Sequence, residues 1–107
     1  MAVKIVIADD HVMFREGLQQ ILELDEKIRV VAEASDGAEC IEVLQNARQK
    51  SEPDVLLLDI GMPGMNGFQV VDVLKKSGNV IPVLILTASN EMDYLIHAID
   101  LGVDGYL

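Results

Sequence analysis

Val3-Lys4-Ile5-Val6-Ile7-Ala8-Asp9-Asp10 decides the fold. A short, mostly aliphatic and β-branched run ends in two adjacent carboxylates. Two later stretches repeat the form: Val55-Leu56-Leu57-Leu58 runs into Asp59, and Ile81-Pro82-Val83-Leu84-Ile85-Leu86 runs into Thr87. Near-continuous apolar runs of this length, separated by helical patterns, read as buried parallel strands. In such sheets the functional crevice lies beyond the carboxyl ends of the strands. Asp9, Asp10, Asp59 and Thr87 are therefore expected on one edge of one sheet.

That convergence has a cost. At about 4 Å and an effective dielectric near 20, each unscreened pair of carboxylates repels by roughly 4 kcal/mol. A cluster of this kind calls for a cation. Oxygen ligands alone select a hard one, such as Mg²⁺. Metal-held acids beside a hydroxyl are the chemistry of a phosphoryl-acceptor site. A nucleotide or flavin site would need a Gly- or Ser/Thr-rich anion cradle after the first strand. Asp9 and Asp10 stand there instead and would repel a phosphate without an intervening metal.

The rest of the chain fits an alternating α/β order. After the first strand, Phe14, Leu18, Ile21 and Leu22 recur at three- and four-residue spacing, with Arg15, Glu16, Gln19, Gln20 and Glu23 on the other face. This predicts an amphipathic helix over Val12 to Leu24. Ile28 to Ala34 reads as the second strand. Ser35-Asp36-Gly37 opens a second helix running to about Lys50, and Ser51-Glu52-Pro53 breaks it. Gly61-Met62-Pro63-Gly64-Met65-Asn66-Gly67 is too rich in Gly and Pro for regular structure. A third helix follows through Phe68, Val71 and Leu74 to Ser77-Gly78-Asn79. Met92, Leu95, Ile96 and Ile99 pattern a fourth, closed by Gly102, and Val103 to Leu107 opens a fifth strand. Right-handed crossovers then give a doubly wound parallel sheet with helices on both faces.

Composition limits the functions. One domain of 107 residues, half of them hydrophobic, is long enough for a real core. Eighteen acids against eight bases give a net charge of −10, which repels nucleic acid and argues against direct DNA or RNA binding by this segment. Cys40 is the single cysteine, so no internal disulfide forms, as suits a reducing cytoplasmic setting. The N-terminal apolar run stops at Asp9, far short of the ~20 residues of a membrane span. Within helices, Cys40 and His97 read as inert. His11 reads as a loop residue that brushes a partner.

Ala8-Asp9-Asp10-His11, the stretch Leu57 to Gly67, Leu86-Thr87-Ala88 and Gly102-Val103-Asp104-Gly105-Tyr106 together resemble the receiver domain of bacterial two-component response regulators. The first helix, with Asp10-His11-Val12-Met13-Phe14-Arg15-Glu16-Gly17-Leu18, is similar to the NarL/FixJ branch. The resemblance covers nearly the whole chain and implies a five-stranded, flavodoxin-like sheet in the order 2-1-3-4-5.

It also implies roles. Asp59 is the phosphoacceptor for a sensor histidine kinase. Asp10, Asp59 and the carbonyl of Gly61 ligate Mg²⁺, with Asp9 acting through water. Thr87 hydrogen-bonds the phosphoryl oxygens, and Tyr106 is the aromatic that changes rotamer. The domain is a switch and not an enzyme with an outside substrate. A LuxR-type helix-turn-helix domain is expected beyond the chain as its transcription-regulating output. The family's lysine, two positions past Leu107, and its final helix are absent from these 107 residues, so the receiver reads as truncated at its C-terminus. An uncovered sheet face and an open edge of that kind would favour a homodimer.

Two other functions stay open. A pseudo-receiver would bind partners without phosphorylation. An aspartyl-nucleophile Mg²⁺ phosphatase would place Asp-x-Asp on the first strand and add a cap, neither of which is present.

Overall fold

Near-continuous apolar strands, buried on both faces, set the architecture. The computed structural model describes residues 3–50, 53–79, 81–86 and 105–106, without the side chains of 47–50 and 105–106. In chain order these form β1 (Val3–Ala8), α1 (Val12–Leu22), β2 (Ile28–Ala34), α2 (Gly37–Lys50), β3 (Val55–Asp59), α3 (Gly67–Lys76), β4 (Val83–Leu86) and β5 (Gly105–Tyr106). The strands make one parallel sheet in the order β2-β1-β3-β4-β5. The α/β class is the one that the sequence pattern predicts, and the strand order is the one that the family resemblance implies.

Successive side chains on a strand point to opposite faces, and both faces are used. Val6, Ala8, Leu56, Leu58, Val83 and Ile85 turn one way and meet Cys40 and Leu44 of α2 with Phe68, Val70, Val71 and Leu74 of α3. Ile5, Ile7 and Leu57 turn the other way, against Leu18 and Leu22 of α1. Each fully buried aliphatic side chain contributes on the order of 1.5–3 kcal/mol, so among the described residues the face under α2 and α3 carries the larger cluster. Cys40 is fully buried in it, and burial, followed by Asp36 and Glu39, pushes its thiol up to about 12. That thiol is inert, as its helical position suggested.

Element boundaries depart from the sequence pattern in two places. α1 stops at Leu22, because Leu24 and Asp25 donate to the carbonyls of Ile21 and Leu22 and tighten the chain into a turn. β4 begins at Val83 and not Ile81, since Pro82 has no N–H to give; its carbonyl still accepts from Leu56 at 2.9 Å. The fifth strand is described only at Gly105 and Tyr106, and the helix expected around 92–99 lies outside the described residues. No helix among the described residues is long and apolar enough to cross a membrane.

Registry puts the strand ends level. Ala8 pairs with Ala34 and Leu58, and Asp59 pairs with Leu86. The residues that follow β1 and those that end β3 therefore share one edge. The start of α3 is pressed onto that edge. Asn66 and Gln69 form a reciprocal capping box, and the Gly67 N–H donates to the Ile60 carbonyl at 3.0 Å. A Cβ at Gly67 would stand 2.7 Å from the Asp59 carbonyl oxygen and 2.9 Å from the Ile60 Cα. Only glycine lets the helix approach the end of β3 so closely.

The same substitution should have opposite signs at two glycines. At Gly67 an alanine must push backbone against backbone, and Gly67→Ala should lower the free energy of unfolding by about 1–3 kcal/mol. Gly17 sits within α1 with nothing within 4 Å of a Cβ. There alanine gains helix propensity alone, and Gly17→Ala should raise stability by roughly 0.5–1 kcal/mol. Urea unfolding of both variants checks the pair. Equal effects would show that the contact at Asp59 does not govern the first.

Candidate functional site

Strand ends deliver the acids. Asp9 and Asp10 follow β1, and Asp59 is the last residue of β3, next to it in the sheet. One ligand atom each from Asp9, Asp10, His11 and Asp59 fall within 4.8 Å of one another. The three carboxylates expected together from the sequence are together. Thr87 lies outside the described residues, as does the side chain of Tyr106, whose backbone pairs with Ile85.

Each acid has a different environment. Asp9 is buried, and its Oδ1 accepts from the His11 backbone N–H at 2.8 Å and faces the His11 Nδ1 at 3.1 Å. It is built into the turn that leads to α1. Asp10 is half-buried. Its Oδ1 also lies 3.1 Å from the His11 Nδ1, the atom that faces Asp9 Oδ1 at the same distance. Asp10 Oδ1 is buried without a hydrogen-bond partner among the described residues, a position that costs free energy unless a cation or donor fills it.

Asp59 accepts from the Gly61 N–H at 3.2 Å. Burial raises its carboxyl above the ordinary value, the Gly61 N–H pulls it back, and Asp9 and Asp10 raise it again. Gly61 itself is exposed, and a Cβ there would meet nothing within 4 Å.

Two residues take roles here that the sequence pattern does not give them: His11, expected beside the site as a loop residue, and Arg15. His11 is the N-cap residue of α1, and its ring leans into the cluster. The Asp9 hydrogen bond, then the charge of Asp10, raise its affinity for a proton. Only its position beside two acids could have signalled this. Arg15 was assigned to the polar outer face of the first helix. Its side chain is instead mostly buried, paired with Glu33 and bonded to the backbone of Asp9. A helical period alone cannot separate an exposed arginine from one that reaches back over the preceding turn.

Chemically, the arrangement is an oxygen-rich cluster with excess negative charge and, among the described residues, one buried side-chain oxygen lacking a partner. That donor set suits a small hard cation.

The sequence profile of the response regulator receiver domain matches residues 5–107, and the chain belongs to that family. The nitrate/nitrite response regulator protein NarP of Escherichia coli is 40% identical over 104 residues, covering 97% of this chain and 46% of that protein. The transcriptional regulatory protein DegU of Brevibacillus brevis is 37% identical over 105 residues, covering 98% of this chain and 43% of that one. The chain spans about half the length of the curated relatives it matches. Among solved structures, the signal receiver domain of the putative response regulator NarL from Mycobacterium tuberculosis superposes with a TM-score of 0.89 at 38% identity, covering 99% of this chain and 82% of that one. These relatives agree with the NarL/FixJ resemblance. The acidic cluster is of the kind that binds Mg²⁺ in receivers.

The raised carboxyl of Asp59 has a signed consequence for stability. The folded state holds this proton more tightly than the unfolded chain does. The group's contribution is fully present below the ordinary carboxylate value of 3.8 and is lost as pH rises through the folded value. At neutral pH the ionised Asp59 is a net cost, which Asp59→Asn removes. Without divalent cations the variant should melt higher than the parent at neutral pH, and the difference should vanish as the pH falls below the ordinary carboxylate value. Thermal unfolding followed by circular dichroism across that range checks it. A variant less stable at neutral pH would contradict the stated cause.

Proposed function

We propose that this receiver domain is a phosphorylation-controlled switch in which Asp59 takes a phosphoryl group from a sensor histidine kinase. The observation that carries the reading is the meeting of Asp9, Asp10 and Asp59 at one sheet edge with Asp10 Oδ1 buried and lacking a donor. Asp10, Asp59 and the Gly61 carbonyl would hold Mg²⁺, with Asp9 contributing through water. When bound, the metal neutralises charge on the transferring group.

The chain's own residues do the remainder. An Asp59 carboxylate oxygen attacks phosphorus. The phosphorus–nitrogen bond of the kinase's phosphohistidine breaks, and its electron pair returns to the imidazole. The Gly61 N–H, already donating to Asp59 Oδ1, orients the carboxylate and leaves its other oxygen for the attack. Asp9, anchored by the His11 N–H, keeps its charge at a fixed place behind Asp10. Thr87 would donate its hydroxyl to the attached phosphoryl oxygens, and Tyr106 would change rotamer in response.

The product is a modified receiver and not a released compound, so the domain acts on itself. Its output in this reading is an attached helix-turn-helix domain that regulates transcription, which fits a net charge of −10 on a segment that leaves DNA to another. A LuxR-family DNA-binding response regulator from Staphylococcus aureus, at 28% identity and a TM-score of 0.82 over 98% of this chain and 84% of that one, supports this assignment. The setting is cytoplasmic.

Full-length protein incubated with a small phosphodonor and Mg²⁺ should gain one phosphoryl group by mass, and Asp59→Asn should gain none. A modification that persists in the Asn variant would reject Asp59 as the acceptor. A second expectation concerns lifetime. The open space at Gly61 leaves the acyl phosphate without a side-chain screen against water. Gly61→Met should slow loss of the phosphoryl group several-fold, and an unchanged rate would reject the steric account.

A further inference from the structure

Among the described residues, the acidic edge is reached by one guanidinium, and its contacts are specific. The Arg15 Nη1 donates to the carbonyl oxygen of Asp9 at 2.6 Å, while Nε donates to Glu33 Oε1 at 3.0 Å. The arginine side chain is 14% exposed and that of Glu33 32%. From these contacts we infer that Arg15 is a positioning residue for the cation site, clamping the Asp9–Asp10 peptide to the edge strand β2. The inference rests on the cation-dependent reading of the cluster given above.

The carbonyl that Arg15 holds belongs to the planar peptide whose nitrogen is that of Asp10. Holding that oxygen fixes the peptide plane and with it the direction in which Asp10 leaves the backbone. The other side of Asp9 is tied to the same strand, because its N–H donates to the Ala34 carbonyl at 3.0 Å. β2 therefore grips the Asp9 backbone twice: once directly through Ala34, and once through the Glu33–Arg15 pair. Without the second grip the peptide can rotate, and the buried Asp10 Oδ1 loses the orientation that aims it into the cluster.

A guanidinium is suited to this task. Its donors are rigidly set in one plane, so a bond to Glu33 determines where the other donor points. A lysine has one nitrogen and no fixed plane. Arg15 also belongs to α1, so the clamp ties the helix, the edge strand and the acidic turn into one unit. A purely structural ion pair would hold α1 to β2 through Glu33 alone and would have no need of the Asp9 oxygen.

The test is Mg²⁺ affinity of the full-length protein, measured by calorimetry without phosphodonor. Loss of partners that orient metal ligands typically weakens binding about 10–100-fold. Arg15→Ala should raise the Mg²⁺ dissociation constant about tenfold, and Arg15→Lys, which keeps the charge and the stem but not the fork, should raise it several-fold. Phosphoryl acceptance by either variant should return to the parent rate at saturating Mg²⁺, since the acceptor itself is intact. A dissociation constant equal to the parent's in Arg15→Lys would overturn the clamp, whether or not Arg15→Ala folds. A rate that stays low at saturating Mg²⁺ would also overturn it, in favour of a general structural role. If the parent binds Mg²⁺ but accepts no phosphoryl group, the function proposed above fails while the affinity comparison still decides the role of Arg15.

Discussion

Repulsion among carboxylates held at a common strand end is the constraint around which this molecule is organised. Parallel pairing of β1 with β3 brings the residues after Ala8 level with Asp59, and the sheet cannot form without bringing them together. At the 4.8 Å spread of the cluster, an unscreened pair of ionised carboxylates at an effective dielectric near 20 repels by roughly 3 kcal/mol. A domain of this size has a total stability of only about 5–15 kcal/mol. The cluster is therefore tolerable only with compensation.

Compensation comes from several directions, and none of it is complete. Backbone N–H groups of His11 and Gly61 donate to Asp9 and Asp59. The His11 ring stands 3.1 Å from both Asp9 and Asp10. Among the described residues, the buried side-chain oxygen without a hydrogen-bond partner is Asp10 Oδ1. Across the edge, glycine at position 67 allows α3 to seat against the Asp59 backbone. The arrangement is preorganised for a positive charge supplied from solution, which is what the proposed Mg²⁺-dependent acceptance of a phosphoryl group would require.

Much of this was legible in the residues themselves, for physical reasons that can be named. β1 and β2 have the bounds Val3–Ala8 and Ile28–Ala34 that their apolar and β-branched residues predict; β1 is held by burial of Ile5 to Ala8 inside the sheet, and the edge strand β2 by its register against β1. The meeting of Asp9, Asp10 and Asp59 followed from strand ends alone. Finer features did not. Pro82 sits in an apolar run but cannot donate to the ladder, so β4 starts later than hydrophobicity suggests. Arg15 has the composition of a solvated face, yet its long side chain reaches back to β2 and the Asp9 carbonyl. His11 looks like any loop histidine until the turn folds its ring over two carboxylates. Both residues act through reach and turn geometry, which periodicity does not encode.

The central claim is that the edge formed by Asp9, Asp10 and Asp59 is a weak, hydrated Mg²⁺ site. Titration with Mg²⁺ and, separately, Ca²⁺, followed through the backbone amide resonances, tests it most directly. With Asp10, Asp59 and one carbonyl as the proposed ligands, several waters would stay on the metal, which would favour Mg²⁺ over Ca²⁺. The account predicts saturable Mg²⁺-dependent shifts centred on Asp10, Asp59 and Gly61, abolished in Asp10→Ala. Tight Ca²⁺-selective binding, or Mg²⁺ shifts that survive in Asp10→Ala, would contradict it.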